Sequence, residues 1–222
     1  MLTHVSGMIS GIVSTFRFVP VLLFVMLGSP AFGQEGLYGA GAPDDAAFVR
    51  LVHALEHEDE VSTSIGEAYF GPLSFGSVSS YRPVAPDLYM LFIADLSAEL
   101  VAEDGVYYTI VVHPDGLLVL EDPEHTDPAR AQIFLYNLSS LPEVRLVSDE
   151  GPTDVTGQVA PGESEEVVVA AVPVELSLYA GDEAIESVGD PGLERGESYS
   201  VFVVSNNDET ATFLAQAEVI AE

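Results

Sequence analysis

From Gln34 onward the chain is written in short apolar runs separated by turn residues. The clearest are Phe48 to Ala54, Tyr107 to Val112, Gln132 to Tyr136, Val167 to Val174, Glu175 to Tyr179 and Tyr199 to Val204. They are rich in β-branched and aromatic residues, which suit a pleated and packed surface, so they predict strands. Pro114-Asp115-Gly116 and Ala180-Gly181-Asp182 have turn composition. No stretch carries a long helical period between caps; Asp95 to Glu103 is compatible with a short helix or a strand.

The layout repeats. Phe48-Val49-Arg50-Leu51-Val52-His53-Ala54 opens one half, and Gln132-Ile133-Phe134-Leu135-Tyr136-Asn137-Leu138 opens the other. A short strand follows each, at Val61 to Ile65 and at Val144 to Val147. Late in each half comes a turn and an aromatic strand: Glu103-Asp104-Gly105-Val106-Tyr107-Tyr108-Thr109, then Arg195-Gly196-Glu197-Ser198-Tyr199-Ser200-Val201. Strands at this spacing predict an all-β protein of two tandem antiparallel, immunoglobulin-like β-sandwiches. The expected domains are 37–122 and 130–222. The segment Glu121 to Arg130, dense in proline and charge, reads as the connection, with 123–129 as the linker proper.

Residues 1–33 differ in kind. They contain no acid, and Arg17 precedes the apolar run Phe18 to Leu27, which leads to Ala31-Phe32-Gly33. This is the pattern of a secretory signal peptide cleaved after Gly33, which predicts a periplasmic mature chain. The apolar run is too short for a span of about 20 residues.

Charge narrows the partners. The chain has 222 residues, 36 acids and six cationic side chains, all arginine, for a formal charge of −30. Polyanions such as nucleic acid and anionic lipid are poor partners for such a surface. Almost half the residues are hydrophobic, enough for a packed core, and the acids read as a solvated surface suited to brine. With no cysteine, disulfides, thiolate metal sites and cysteine nucleophiles are excluded.

Four constellations could carry chemistry. His53-Ala54-Leu55-Glu56-His57 fits the H-x-x-E-H metalloprotease pattern, but that needs a helix presenting both imidazoles, and His53 ends a strand. Asp122-Pro123-Glu124-His125 fits the D-x-x-H dyad of SGNH acyl-transfer enzymes, yet no Gly-Asp-Ser supplies their nucleophile, and the linker position predicts a solvated hinge. The acid runs Glu56 to Glu60 and Glu121 to Asp127 lack the spacing of a calcium loop. Tyr107 and Tyr108 are neighbours on a strand, so they point to opposite sides; one should enter the core and the other is free to meet a ligand such as a sugar. Ser139, Ser140 and Ser198 are candidate acyl-carrier hydroxyls, with nothing in the sequence to activate them. The residues therefore predict no catalytic, cofactor or metal site.

Leu37-Tyr38-Gly39, Ala42-Pro43, Phe48-Val49-Arg50, Tyr107-Tyr108-Thr109, Asn137-Leu138-Ser139, the run Val174 to Asp182, and above all Leu193-Glu194-Arg195-Gly196-Glu197 occur in order across the mature chain. In this the chain resembles the AlgF family of periplasmic alginate O-acetylation proteins, although it departs from that family in having no lysine. Val49-Arg50-Leu51-Val52-His53-Ala54 is also similar to the opening of a widespread extracellular sandwich module. The AlgF resemblance implies a non-catalytic accessory that works with SGNH-type acetyltransferases and a membrane-bound acyl transferase on an exported polysaccharide. It implies no catalytic residue. The alternative is an extracellular adhesion or matrix-binding module.

The crowding of carboxylates leads to one direct test. Folding concentrates like charges that the unfolded chain spreads apart, and salt screens them. The melting temperature should therefore rise steeply between about 0.1 M and about 2 M potassium chloride. Equal midpoints would show that the acids are already neutralised in the folded state.

Overall fold

The computed structural model describes residue 43 and residues 45–149, 153–206 and 209–220. The signal peptide and the Leu37-Tyr38-Gly39 opening lie outside the described residues. Sixteen strands and no helix form among the described residues, all within the compact unit Gly36–Glu222.

The first half contains β1 (Ala47–His53), β2 (Glu60–Ile65), β3 (Ala68–Ser74), β4 (Arg82–Val84), β5 (Leu88–Ile93), β6 (Leu96–Val101), β7 (Tyr107–His113) and β8 (Gly116–Asp122). The second contains β9 (Ala131–Leu138), β10 (Arg145–Ser148), β11 (Thr153–Asp154), β12 (Ser164–Val169), β13 (Leu176–Ala180), β14 (Glu183–Gly189), β15 (Ser198–Asn206) and β16 (Glu209–Gln216). Asp95 to Glu103 is thus a strand, β6. The run Val167 to Val174 stops being a strand at Val169, ahead of Pro173, which has no N–H for a ladder.

The halves repeat the same sheet. The order β4-β1-β7-β8 in the first matches β12-β9-β15-β16 in the second. The expectation of purely antiparallel sheets needs one correction. At the centre of each sheet β1 pairs with β7, and β9 with β15, in parallel. The chain reaches each parallel partner by crossing to the other layer of its sandwich and back, a long-range pairing that local sequence does not encode.

The opposite layer of the first half is built from the hairpins β2-β3 and β5-β6, and that of the second from the sheet β11-β10-β13-β14. Alternate residues of the central strands fill each sandwich. Val49, Leu51, Tyr108 and Ile110 pack on Ile65, Phe70, Leu91 and Leu100; Ile133, Leu135, Tyr199 and Val201 pack on Leu146, Leu176 and Leu178. The other faces of the two central sheets meet each other. Val52, Ala54 and Val111 join Phe134, Tyr136, Leu138, Phe202 and Val204 in one cluster shared between the halves. This double burial explains why β1 and β9 are buried at every position.

The turn before each central hairpin is the same device. Gly105 and Gly196 take positive φ angles of 73° and 81°, where a Cβ would be strained. Three residues later, the hydroxyls of Tyr108 and Tyr199 accept the amides of Glu103 and Glu194, the tyrosine-corner arrangement of immunoglobulin-like sandwiches. The register also makes His53 the counterpart of Asn137. Each is fully buried and caps its strand by accepting the amide two residues on, Leu55 to His53 Nδ1 and Ser139 to Asn137 Oδ1.

Burial lowers the His53 pKa below its ordinary value. Between the folded and unfolded values the unfolded chain binds the proton that the folded chain refuses. This contribution to stability is therefore intact above the unfolded pKa of about 6.5 and declines as pH falls through it. His53→Asn, which keeps an acceptor at the capping position, should gain stability relative to the wild type on going from about pH 8 to about pH 5 in parallel denaturant melts. A constant difference across that range would show that His53 does not titrate between the two states.

Candidate functional site

A set of buried polar residues converges where the two central sheets face each other. Arg50, in the middle of β1, is 1% exposed. Its Nε donates to Thr109 Oγ1 at 2.8 Å, and its Nη2 donates to Tyr136 Oη at 2.8 Å and Ser200 Oγ at 3.0 Å. Asp122, the last residue of β8, stands 3.7 Å from the same Nη2. Its Oδ2 accepts the hydroxyls of Thr109 and Tyr81, the latter at 2.6 Å, and its Oδ1 accepts that of Tyr136 at 2.6 Å. The guanidinium carbon lies 4.6 Å from the Tyr81 ring centre and 5.5 Å from that of Phe202.

Strand alternation assembles this network. Arg50, Thr109 and Asp122 share the face of the first sheet that turns away from its own sandwich, and Tyr136 and Ser200 share the matching face of the second. Burial opposes the charge on Arg50, but Tyr136, Tyr81 and Asp122 outweigh it and hold its pKa above the ordinary value. Burial raises the phenol pKa values of Tyr81 and Tyr136. A cation is thus kept charged in a wall of aromatic rings, with each of its neighbours hydrogen-bonded.

Beside this network a pocket of about 80 Å3 opens between the halves, lined by Tyr81, Tyr107, Phe134, His125, Gln132, Ser198 and Asp122. Two expectations change here. Asp122 is 3% exposed and forms the closing residue of a strand, so it is no part of a solvated hinge; only the segment after it is a connection. And the D-x-x-H residues line one pocket with a serine, Ser198, that is distant in the chain. They are nonetheless not wired as a catalytic triad. Ser198 Oγ donates to Gln132 Oε1 at 2.7 Å, His125 Nε2 donates to the Arg130 carbonyl at 3.0 Å, and Asp122 is engaged by three hydroxyls.

The remaining candidates separate. Tyr108 enters the sandwich core, while Tyr107 turns to the pocket and stacks on Phe48 at 4.6 Å. His53 Nε2 donates to the Glu58 carbonyl, and His57 is an exposed loop residue, so the two do not share a helical face. Ser139 donates to Asn137 Oδ1 as part of the strand cap, and Ser140 is exposed. Among the described residues no three His, Asp or Glu side chains gather as a metal site.

The comparisons with known proteins bear on this molecule as a whole. The family model described as Alginate O-acetyl transferase AlgF matches residues 23–200. The chain belongs to the AlgF family. It is 29% identical to the alginate biosynthesis protein AlgF of Pseudomonas syringae pv. tomato over 185 residues, covering 82% of this chain and 81% of that one. It is 26% identical to the Pseudomonas aeruginosa protein of the same name over 201 residues, covering 88% and 92%, and 28% identical to that of Azotobacter vinelandii over 182 residues, covering 81% and 82%. A solved structure of the C-terminal domain of AlgF from P. aeruginosa aligns with 40% of this chain and 98% of its own length, at 25% identity and a TM-score of 0.37. The AlgF members are thus named both for O-acetyl transfer and, more broadly, for alginate biosynthesis.

The Arg50 network makes its own prediction. Removing one member of a buried ion pair strands the other without solvent, at a cost of about 3–5 kcal/mol. Arg50→Leu should lose stability on that scale, and Arg50→Leu combined with Asp122→Leu should recover much of it, because no charge is then left unpaired. Denaturant melts of the single and double variants measure the difference. A single variant as stable as the wild type would remove the network from any structural role.

Proposed function

We propose that this AlgF member is a periplasmic, non-catalytic accessory of polysaccharide O-acetylation, acting by contact with SGNH-type acetyltransferases and a membrane-bound acyl transferase. One observation carries the non-catalytic part. At the pocket that Ser198, His125 and Asp122 line together, the protons are committed elsewhere, Ser198 to Gln132 and His125 Nε2 to a backbone carbonyl, while the Asp122 oxygens accept from Tyr81, Thr109 and Tyr136. A serine becomes a nucleophile when a base takes its proton, and here its proton rests on an amide oxygen. Family membership supports the pathway, and the names of the relatives supply alginate as the polymer.

Electrostatics supports the mode of action. An acidic polysaccharide gains nothing from long-range attraction to a chain of formal charge −30, so the accessory works through proteins and not by gripping polymer. The export signal read at residues 1–33 supports a location in the compartment where polymer hydroxyls are modified. Among the described residues no helix is long and apolar enough to cross a membrane.

A deletion strain should export polymer with reduced acetyl content, and the purified chain should not turn over a chromogenic acetyl ester. Normal acetylation in the deletion strain would refute the accessory role. Turnover that disappears in Ser198→Ala would refute the non-catalytic one.

A further inference from the structure

The layer formed by β2-β3 and β5-β6 presents an apolar face to solvent. Along β5 the inward residues Leu91 and Ile93 are buried, while Leu88, Met90 and Phe92 point outward. Phe92 is 68% exposed, and Leu88, Met90, Tyr69 of β3 and Val101 of β6 are each more than half exposed. Val101 stands directly opposite Leu88 in the β5-β6 pairing, so the patch is continuous across the hairpin. Of the eight large hydrophobics exposed among the described residues, five lie on this one layer; Val172, Leu214 and Ile220 lie elsewhere, in the second half. Clustered exposure of this kind marks an interaction surface, whereas scattered exposure does not.

The charges around the face identify what covers it. Glu99 stands opposite Met90, and Asp87 and Asp95 bracket β5 at its two ends. Glu60 and Glu67 begin β2 and precede β3. No arginine lies anywhere on β2, β3, β5 or β6; Arg82, the only one between Glu56 and Glu103, is on β4 in the other layer. A second copy of the chain would set this acidic rim against itself, and anionic lipid would be repelled in the same way.

We infer that the outward face of β5, with Tyr69 and Val101, is the docking surface for a folded protein that presents apolar side chains inside a rim of arginine and lysine. Phe92 and Met90 are its central anchors. The acidic rim steers and orients the partner, and burial of the apolar stripe holds it. This inference gives the accessory reading a surface, and so rests on it.

The test places a photo-crosslinking benzoylphenylalanine at Phe92 of the full chain in living cells, with the same residue at Leu214 as control. A second strain carries Met90→Ser and Phe92→Ser with the crosslinker at Tyr69. The expected result is a heterologous protein at Phe92 and not at Leu214, joined through a peptide flanked by arginine or lysine. The double variant should melt like the wild type, since both side chains are exposed, yet lose crosslinking at Tyr69 by about tenfold or more. Its exported polymer should fall to the acetyl content of the deletion strain. Crosslinks to a second copy, to lipid, or to nothing would overturn the docking face, as would normal acetylation by the double variant in a system where the deletion abolishes it. If the deletion leaves acetylation normal while the heterologous crosslink persists, the docking face stands and the accessory role falls.

Discussion

Arg50 is the constraint on which the arrangement of the two halves depends. A guanidinium cannot be discharged at any physiological pH, and this one sits in a layer of side chains where water does not reach. It survives there because four oxygens from both halves surround it. Thr109 and Asp122 come from its own sheet, Tyr136 and Ser200 from the facing one, and Tyr81 donates to Asp122 from the side. A different register between the sheets would leave Arg50 and Asp122 buried with unmatched partners, which is among the larger penalties a protein can incur. The aromatic stack of Tyr136 on Phe202, at 4.5 Å, and of Phe202 on Phe213, at 5.1 Å, runs across neighbouring strands of the second central sheet and gives it an apolar surface that tolerates sliding; the network supplies the registration.

The same arrangement divides the molecule by charge. Apolar residues fill three successive interfaces: inside the first sandwich, between the central sheets, and inside the second sandwich. Asp122 apart, none of the acids among the described residues is buried. Such a surface resists aggregation and repels polyanions, and any region of it that is apolar stands out energetically. In a salty medium the long-range repulsion is screened within a few ångströms while apolar contact is undiminished. Recognition then depends on shape and burial at short range, with the acids selecting the sign of the partner's rim.

Much of this was legible in the sequence. The repeated opening strands and the repeated glycine-to-tyrosine turn located the two sandwiches, because local composition determines strands and turns. The fold class follows from those elements. What the sequence did not disclose is what lies on the far side of each central sheet. An arginine in the run Phe48-Val49-Arg50-Leu51-Val52 was a signal, since a residue flanked by apolar neighbours on both faces must itself be buried and therefore paired. Its partner was hidden because Asp122 sits at the head of an acid run and looks like one more solvated carboxylate. Parallel pairing, the pocket that Ser198 and His125 both line, and the outward apolar stripe of β5 all depend on contacts between distant segments. Pattern reading along the chain is blind to them.

The tie between Arg50 and Asp122 also bears on how the acyl-transfer residue types at the junction are bonded. A carboxylate that orients a histidine must keep an oxygen for it. Asp122 spends its oxygens on three hydroxyls, two of which are themselves bound to Arg50. Turning the carboxylate away from this ring of hydrogen bonds would loosen the surroundings of the buried cation, and stranding an internal charge costs more than a single orienting hydrogen bond returns. His125 is left to a backbone carbonyl and Ser198 to Gln132, which suits a pocket that closes a seam. A molecule so built has its interior committed to holding two sandwiches in one orientation, and what it can offer other molecules lies on its outer faces.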